Sequence, residues 1–333
     1  MKKNPQTVGF RPGERNVFLH ILTACNLSCS HCYINPQQHG TGTLSRQQLE
    51  KWIHLFADRK RRSNIIFLGG EPTMHKDLPY AIEIAKTCGF NTTVDSNGYL
   101  FHDFLNRVNP QQLDYLSFSL DGPEPAVNDP IRGAGVFEVC TANIRKAKEK
   151  GFCTSLIYTV SSRNIGALPR MVPLLKELEV SRFFIQVIGL RGKSARKDEN
   201  GGGLQVDTGQ WLSVVPDVAA QVAELGMTVI FPKVYLTEKE SFSCAGNVAE
   251  NFFVFPNGRV YQCPLCEDHP LHSYEIIDDC LVERTGLTEK RFFSLAIAEG
   301  CVMNKLLQPD TIEYFSDGRP QHRISCCLLK QRL

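Results

Sequence analysis

The sequence predicts an α/β chain: an open, partial barrel of six strand–helix units followed by a smaller, cysteine-rich C-terminal domain. Three observations predict it. Short β-branched and aromatic runs alternate with amphipathic helical stretches over the first two-thirds. Glycine-rich and polar motifs follow the first four strands, at the ends where such folds place their chemistry. Seven of the 13 cysteines fall in the last third.

Strands are predicted at 17–22, 64–68, 91–94, 115–119, 154–160 and 182–188. The helix after the first strand opens at Ser45, with Gln48 three residues on as a capping box. Its Leu49, Trp52, Ile53 and Phe56 form one buried stripe. The next helix starts near Asp77, turns Leu78, Ala81, Ile82 and Ala85 inward, and stops at Gly89. Helices over 101–108, 135–150 and 165–178 follow. A polar stretch at 191–205 reads as a surface loop or a lid over the barrel mouth. A helix over 208–225 carries Trp211, Val214, Val218 and Val222, and a strand-like run occupies 227–231. The chain divides into an N-terminal extension (1–16), the barrel (17–231) and the cysteine-rich domain (232–333).

Composition narrows the function classes. With 333 residues, 42% hydrophobic and 22% charged, the chain can bury a substantial core. A net charge of +2 gives no reason to expect nucleic acid or an anionic membrane as partner. The basic run Arg59-Lys60-Arg61-Arg62 ends a predicted helix, where it complements the helix dipole. An odd cysteine count, a polar start and no apolar run near the ~20 residues of a membrane span argue for a reducing cytoplasm and metal binding.

Cys25, Cys29 and Cys32 lie in a C-x3-C-x2-C spacing directly after the first strand. Close-spaced thiolates on one loop suit an iron–sulfur cluster. Three ligands for a four-iron cube leave one iron open to a substrate. A structural zinc loop would need a fourth ligand nearby, and the local candidate, His31, is sandwiched between two cysteines. Gly69-Gly70-Glu71 follows the second strand, Ser96-Asn97-Gly98 the third, and Ser119-Leu120-Asp121 ends the fourth. Further on, residues 251–263 read as a hairpin turning at Pro256-Asn257-Gly258, which brings distant cysteines together. Cys88, Cys140 and Cys153 read as unligated thiols acting as small hydrophobes, and His20, His54 and His102 carry no constellation.

These motifs, with Tyr33 after Cys32, Phe67-Leu68 and Pro72-Thr73 around the Gly-Gly-Glu, and Ile131-Arg132-Gly133, resemble the radical S-adenosylmethionine (radical SAM) enzymes that carry a C-terminal SPASM- or twitch-like auxiliary domain. The resemblance covers 17 to about 190 and resumes at Cys244. It implies a TIM-like partial barrel and a [4Fe–4S] cluster on Cys25, Cys29 and Cys32. It also implies reductive cleavage of S-adenosylmethionine to a 5′-deoxyadenosyl radical that takes hydrogen from a peptide or small metabolite. Gly69, Gly70 and Glu71 or its carbonyls would receive the methionine ammonium, Ser119 and Arg132 the carboxylate, and Asn97 the ribose. Tyr33 and Gly189-Leu190 would bracket the adenine, with His31 packing on the nucleoside or serving only as a loop histidine.

Cys244, Gly258 and Cys263 match the start of the auxiliary domain, but the dense cysteine run of its two-cluster form is missing. The resemblance therefore implies at least one auxiliary [4Fe–4S] cluster on Cys244, Cys263, Cys301 and Cys327, with Cys326, Cys266 and Cys280 as alternates and a second cluster left open. Such a cluster accepts an electron or binds substrate. A reductant such as flavodoxin or ferredoxin is the implied partner. A non-catalytic iron–sulfur carrier would show degraded motifs, and both are intact; a tRNA-modifying enzyme is disfavoured by the near-neutral charge.

Overall fold

The computed structural model describes residues 5–8, 14–58, 60–61, 63–195, 203–237, 239–309 and 312–333. Arg59 and Arg62 of the basic run, and 196–202 of the polar stretch, lie outside the described residues. A short strand β1 (Gln6–Val8) precedes β2 (Arg15–Leu22), β3 (Ser63–Gly69), β4 (Asn91–Ser96), β5 (Tyr115–Ser119), β6 (Thr154–Val160), β7 (Arg182–Val187) and β8 (Thr228–Pro232). From β2 to β8 each strand pairs in parallel with the next. The six expected strands are present, and the strand-like run at 227–231 joins them as a seventh.

Valines, leucines and isoleucines on the outer face of these strands pack in one core with the connecting helices. The helix Arg46–Phe56 has the Ser45/Gln48 capping box and buries the four expected residues. Leu78–Thr87, Val136–Glu149, Met171–Leu178 and Thr208–Glu224 also match expectation. The helix expected over 101–108 is a single turn, Phe104–Arg107, because His102 and Asp103 take left-handed backbone angles just before it. A helix at Pro125–Arg132 was not expected; Pro125 at its first turn and Pro130 inside it read as loop signals.

The remaining chain forms β9 (Tyr235–Leu236), β10 (Glu250–Val254), β11 (Arg259–Tyr261), β12 (Tyr274–Ile277), β13 (Cys280–Glu283), β14 (Arg323–Ile324) and β15 (Lys330–Arg332). The expected hairpin is β10–β11. Instead of standing apart, β10 pairs in parallel with β2, while β15 joins β8 at the opposite side. The sheet therefore stays open, running from β1 and β15 through the barrel strands to β13. Register places Asn251, Asn16, Asn64 and Asn91 side by side on β10, β2, β3 and β4. Their amides form a ladder at 3.1, 2.8 and 3.1 Å, so each buried side of one amide satisfies the next.

The junction between hairpin and barrel is aromatic. Phe18 stacks on Phe253 at 4.5 Å, and Phe255 lies between His20 and His39 at 3.9 Å from each. His20, assigned no constellation from sequence, is thus a hub. Its Nδ1 lies 3.0 Å from the Val254 carbonyl and its Nε2 2.7 Å from the Tyr33 hydroxyl. The carbonyl can only accept, so Nδ1 carries the proton and the Tyr33 hydroxyl donates to Nε2.

Burial, with the Arg191 charge adding to it, lowers the His39 pKa to about 4, and burial holds His20 well below its usual range. Unfolded imidazoles titrate near 6.5, so between about pH 6.5 and 4 the unfolded chain binds more protons and stability is lost as the pH falls. Thermal unfolding should show a loss on the order of 3 kcal/mol from His39 across that window. The His39→Gln chain should have a flatter profile from pH 7.5 to 5; an identical slope contradicts the assignment.

Candidate active site

The loop carrying Cys25, Cys29 and Cys32 leaves the carboxyl end of β2 and is fastened to the loops after β3, β4 and β5. Gly70 N and Glu71 N donate to the Leu22 and Ala24 carbonyls, each at 3.0 Å. A Cβ on Gly70 would stand 2.0 Å from the Ala24 oxygen, and Gly69 has φ +151°. The glycines are required where two backbones cross.

Glu71 is fully buried. Its carboxylate accepts from Thr73 N (3.0 Å), Thr73 Oγ1 (2.6 Å), Ser96 Oγ (2.9 Å) and Asn97 N (2.7 Å). Burial raises its pKa, and these donors oppose the rise. Asn97 in turn donates through Nδ2 to Asn26 Oδ1 at 2.7 Å and lies 3.7 Å from Cys25 Sγ. Burial pushes the Cys25 thiol up to about 11.

The second fastening is Asp121, which sequence reasoning quoted within a motif but did not assign to the site. It is fully buried, with Arg132 Nε at 2.7 Å and His31 Nε2 at 3.1 Å from Oδ2, and Thr159 N at 2.8 Å from Oδ1. Burial alone would raise its pKa; Arg132 and then His31 hold it well below the carboxylate range. The Arg132 carbonyl lies 3.8 Å from Cys29 Sγ, and Ser30 N donates to Ile131 O at 2.9 Å. A charged residue inside an otherwise buried strand end was the available signal. Tyr33 turns its hydroxyl to His20, with the Arg191 guanidinium 4.9 Å over its ring. Ser119 ends β5, and Leu190 is half-buried beyond β7.

A second group of thiols lies in the C-terminal third. Cys244, Cys263, Cys301, Cys326 and Cys327 line one recess of about 450 Å³, walled by Phe242, Phe292, Phe293 and Leu265. Burial pushes the Cys244 and Cys301 thiols up to about 12, and the neighbouring Cys326 charge adds to both. Cys266 is buried outside the recess lining, against Cys263, and Cys280 is exposed on β13. The loop is organised by Glu289, another residue missed from sequence. Its buried carboxylate accepts from Gln262 N (2.6 Å), Cys263 N (2.9 Å) and Ser273 Oγ (2.9 Å). Among the described residues, no three His, Cys, Asp or Glu side chains converge on a point suited to one metal ion. Cluster thiolates bind different irons and need no such point.

Gly70→Ala should push the cysteine loop away from β3. Anaerobic reconstitution should then give about 5- to 150-fold weaker iron retention at that loop, the size of effect expected for an overpacked backbone contact of 1–3 kcal/mol. Wild-type iron content would contradict the crossing as drawn.

Residues 19–175 match the model of the Radical SAM superfamily. The chain is 29% identical over 183 residues to Fe-coproporphyrin III synthase of Methanosarcina barkeri, covering 54% of this chain and 45% of that protein. It is 27% identical over 272 residues to the mycofactocin maturase MftC of Mycobacterium ulcerans, covering 73% of this chain and 66% of that one. The matched segments thus span about half to two-thirds of these relatives. SuiB of Streptococcus suis, bound to precursor peptide SuiA, superposes with TM-score 0.62 at 12% identity, over 90% of this chain and 65% of SuiB. Native anSMEcpe with bound AdoMet gives 0.57 at 14% identity, over 91% and 85%. Both structural likenesses extend the shared fold well beyond the matched barrel. No helix among the described residues is long and apolar enough to cross a membrane. The segment 19–175, with its cysteine loop, thus matches the Radical SAM superfamily, and the enzymes named above are similar to this chain over 54% and 73% of its length.

Proposed function

We propose that this enzyme uses the Cys25, Cys29, Cys32 loop to hold a [4Fe–4S] cluster and S-adenosylmethionine, and modifies a peptide or small-metabolite substrate with help from an auxiliary cluster. The observation that carries the reading is the fastening of two of the three thiols, Cys25 through Asn97 and Cys29 through Arg132, to the rim motifs of a parallel barrel. The donor set fits the group the family implies: three soft ligands on one loop, beside buried polar groups suited to a zwitterion. When bound, the reduced cluster supplies one electron to the sulfonium and splits the S–C5′ bond, giving methionine and the 5′-deoxyadenosyl radical that removes hydrogen from substrate.

The chain's own residues divide the work. Arg132 pairs with Asp121 through Nε, which orients its outer nitrogens for the methionine carboxylate together with Ser119. The Glu71 carboxylate is committed to four internal donors, so the ammonium falls to the backbone carbonyls of the Gly69-Gly70-Glu71 segment. Asn97 is assigned to the ribose, and His31 and Leu190 to the nucleoside. Tyr33, committed to His20 and Arg191, supports that wall from behind. The parts 17–231 and 232–333 correspond to the barrel and the auxiliary domain.

Five thiols around one recess support the auxiliary cluster. The fourth ligand is Cys327 or its neighbour Cys326, both of which line the recess with Cys244, Cys263 and Cys301. Four protein ligands suit an electron acceptor for the substrate radical. A peptide substrate is supported by the maturase relative and by SuiB with its precursor peptide; a tetrapyrrole is the second reading, supported by the synthase relative. Flavodoxin or ferredoxin would supply the first electron, in a reducing cytoplasm.

Cys25→Ala, Cys29→Ala and Cys32→Ala should each abolish 5′-deoxyadenosine formation while leaving the C-terminal iron. Normal cleavage in any one of them defeats the assignment. Of Cys326→Ala and Cys327→Ala, the one that removes the fourth ligand should lower iron content without removing uncoupled cleavage, and the other should keep its iron. Iron and sulfide counting after anaerobic reconstitution decides between the two neighbours.

A further inference from the structure

Three residues at the exit of β7 touch both cysteine sites. Arg191 Nη1 donates to the Pro264 carbonyl at 2.8 Å and pairs with the buried Glu267, three residues beyond Pro264. The same guanidinium lies 4.9 Å over Tyr33, the residue after Cys32. Gly192 N donates to Asp268 Oδ2 at 2.7 Å. Its φ is +54°, and a Cβ there would stand 2.6 Å from the Tyr33 carbonyl and 2.8 Å from that of Cys32. Lys193 N donates to the Cys32 carbonyl at 2.8 Å, and its ammonium to Ser28 Oγ at 2.8 Å. Asp268 closes the loop by accepting from Asn35 Nδ2 at 3.0 Å.

We propose that Arg191-Gly192-Lys193 is a strap that couples the two sites: filling the auxiliary site tightens S-adenosylmethionine binding at the other. The inference rests on the two-cluster reading above. Its physical basis is a short chain of contacts. A cluster bound at Cys263 fixes the adjoining Pro264 carbonyl and, beyond it, Glu267 and Asp268. Those groups fix Arg191 and Gly192, and the strap then presses on the carbonyl of Cys32. Without the auxiliary cluster, the 263–268 loop has fewer restraints and the strap loses its footing on that side. Binding of S-adenosylmethionine must then order it, and that ordering weakens affinity. Arg191 is accordingly a positioning residue rather than a catalytic one. Its partner Glu267 is buried and Arg191 only partly exposed, so the link is stiff and its loss is felt. Coupling of this kind is reciprocal and amounts to 5–150-fold in known cases, so a factor of about ten is the expected size.

The test is a double-mutant cycle on the full chain, reconstituted anaerobically with iron and sulfide. S-adenosylmethionine affinity is titrated from its effect on the electron paramagnetic signal of the reduced Cys25, Cys29, Cys32 cluster. Cys244→Ala, which empties the auxiliary site, should weaken binding about tenfold, and Arg191→Gln should weaken it by a similar factor. The double variant should be no weaker than either alone, because the path is already cut. Arg191→Lys should recover part of the loss. Independent effects that multiply to about a hundredfold would overturn the proposal, as would a Cys244→Ala protein that has lost its auxiliary iron but binds S-adenosylmethionine as tightly as wild type. If Arg191→Gln does not fold, Asp268→Ala removes the acceptor of the Gly192 tie and leaves the ion pair in place, and it must show the same non-additivity. Unchanged iron in Cys244→Ala would instead sink the auxiliary-cluster reading on which the strap depends.

Discussion

A carboxylate removed from water must be met by donors or a cation, at a penalty of several kcal/mol otherwise. Three such groups hold the loops of this protein. Glu71 gathers the ends of β3 and β4, and through Asn97 it reaches Cys25. Asp121 gathers Arg132, His31 and β6, and the Arg132 carbonyl faces Cys29. Glu289 gathers the segment at Cys263 through its backbone amides. Asp121 and Glu289 each take a partner from a cysteine-bearing loop itself, His31 and the Cys263 amide, whereas Glu71 reaches its loop through Asn97. Buried carboxylates thus give the cysteine loops part of their order, the kind of support a preorganised site needs.

The same constraint explains what was legible in the sequence. The Ser45 capping box, the Leu49/Trp52/Ile53/Phe56 stripe and the Asn-Gly turn of the hairpin are local rules, and all three are present in the structure. The cysteine spacing and the order of rim motifs were equally local. Glu289 was not readable, because its partners lie 16 to 27 residues away and a lone glutamate carries no pattern. Asp121 stood inside a quoted motif, yet its choice of Arg132 and His31 depends on a helix that two prolines disguised. His20 sat mid-strand with no neighbours of like chemistry, and its role comes from residues 234 positions further on.

Strand pairing across the chain was the least legible part. The sequence divides near Phe231, where the strand-like run 227–231 ends, and its cysteine-rich part begins again at Cys244. The edge of an open barrel offers unpaired backbone groups on β2, and a strand laid there in parallel satisfies them. Asn251 then meets Asn16 in register, an amide pair that a slip of one residue would break. The hairpin is thus part of the barrel's sheet even where it begins the cysteine-rich third.

That placement makes the two halves chemically interdependent. The Val254 carbonyl sets which nitrogen of His20 carries the proton, and the tautomer in turn makes the Tyr33 hydroxyl a donor. Tyr33 follows Cys32 directly, so the rotamer beside that cysteine is dictated by a backbone carbonyl of the C-terminal hairpin. Phe255 adds the second restraint, stacked between His20 and the His39 that follows the cysteine loop. A barrel cut away at 231 would leave β2 with an open edge, His20 free to adopt either tautomer and Tyr33 without a fixed acceptor. Strand pairing therefore crosses the boundary at 231 twice, at β2–β10 and at β8–β15, while Phe253, Phe255, Tyr261, Leu265 and Met303 pack in a smaller cluster of their own.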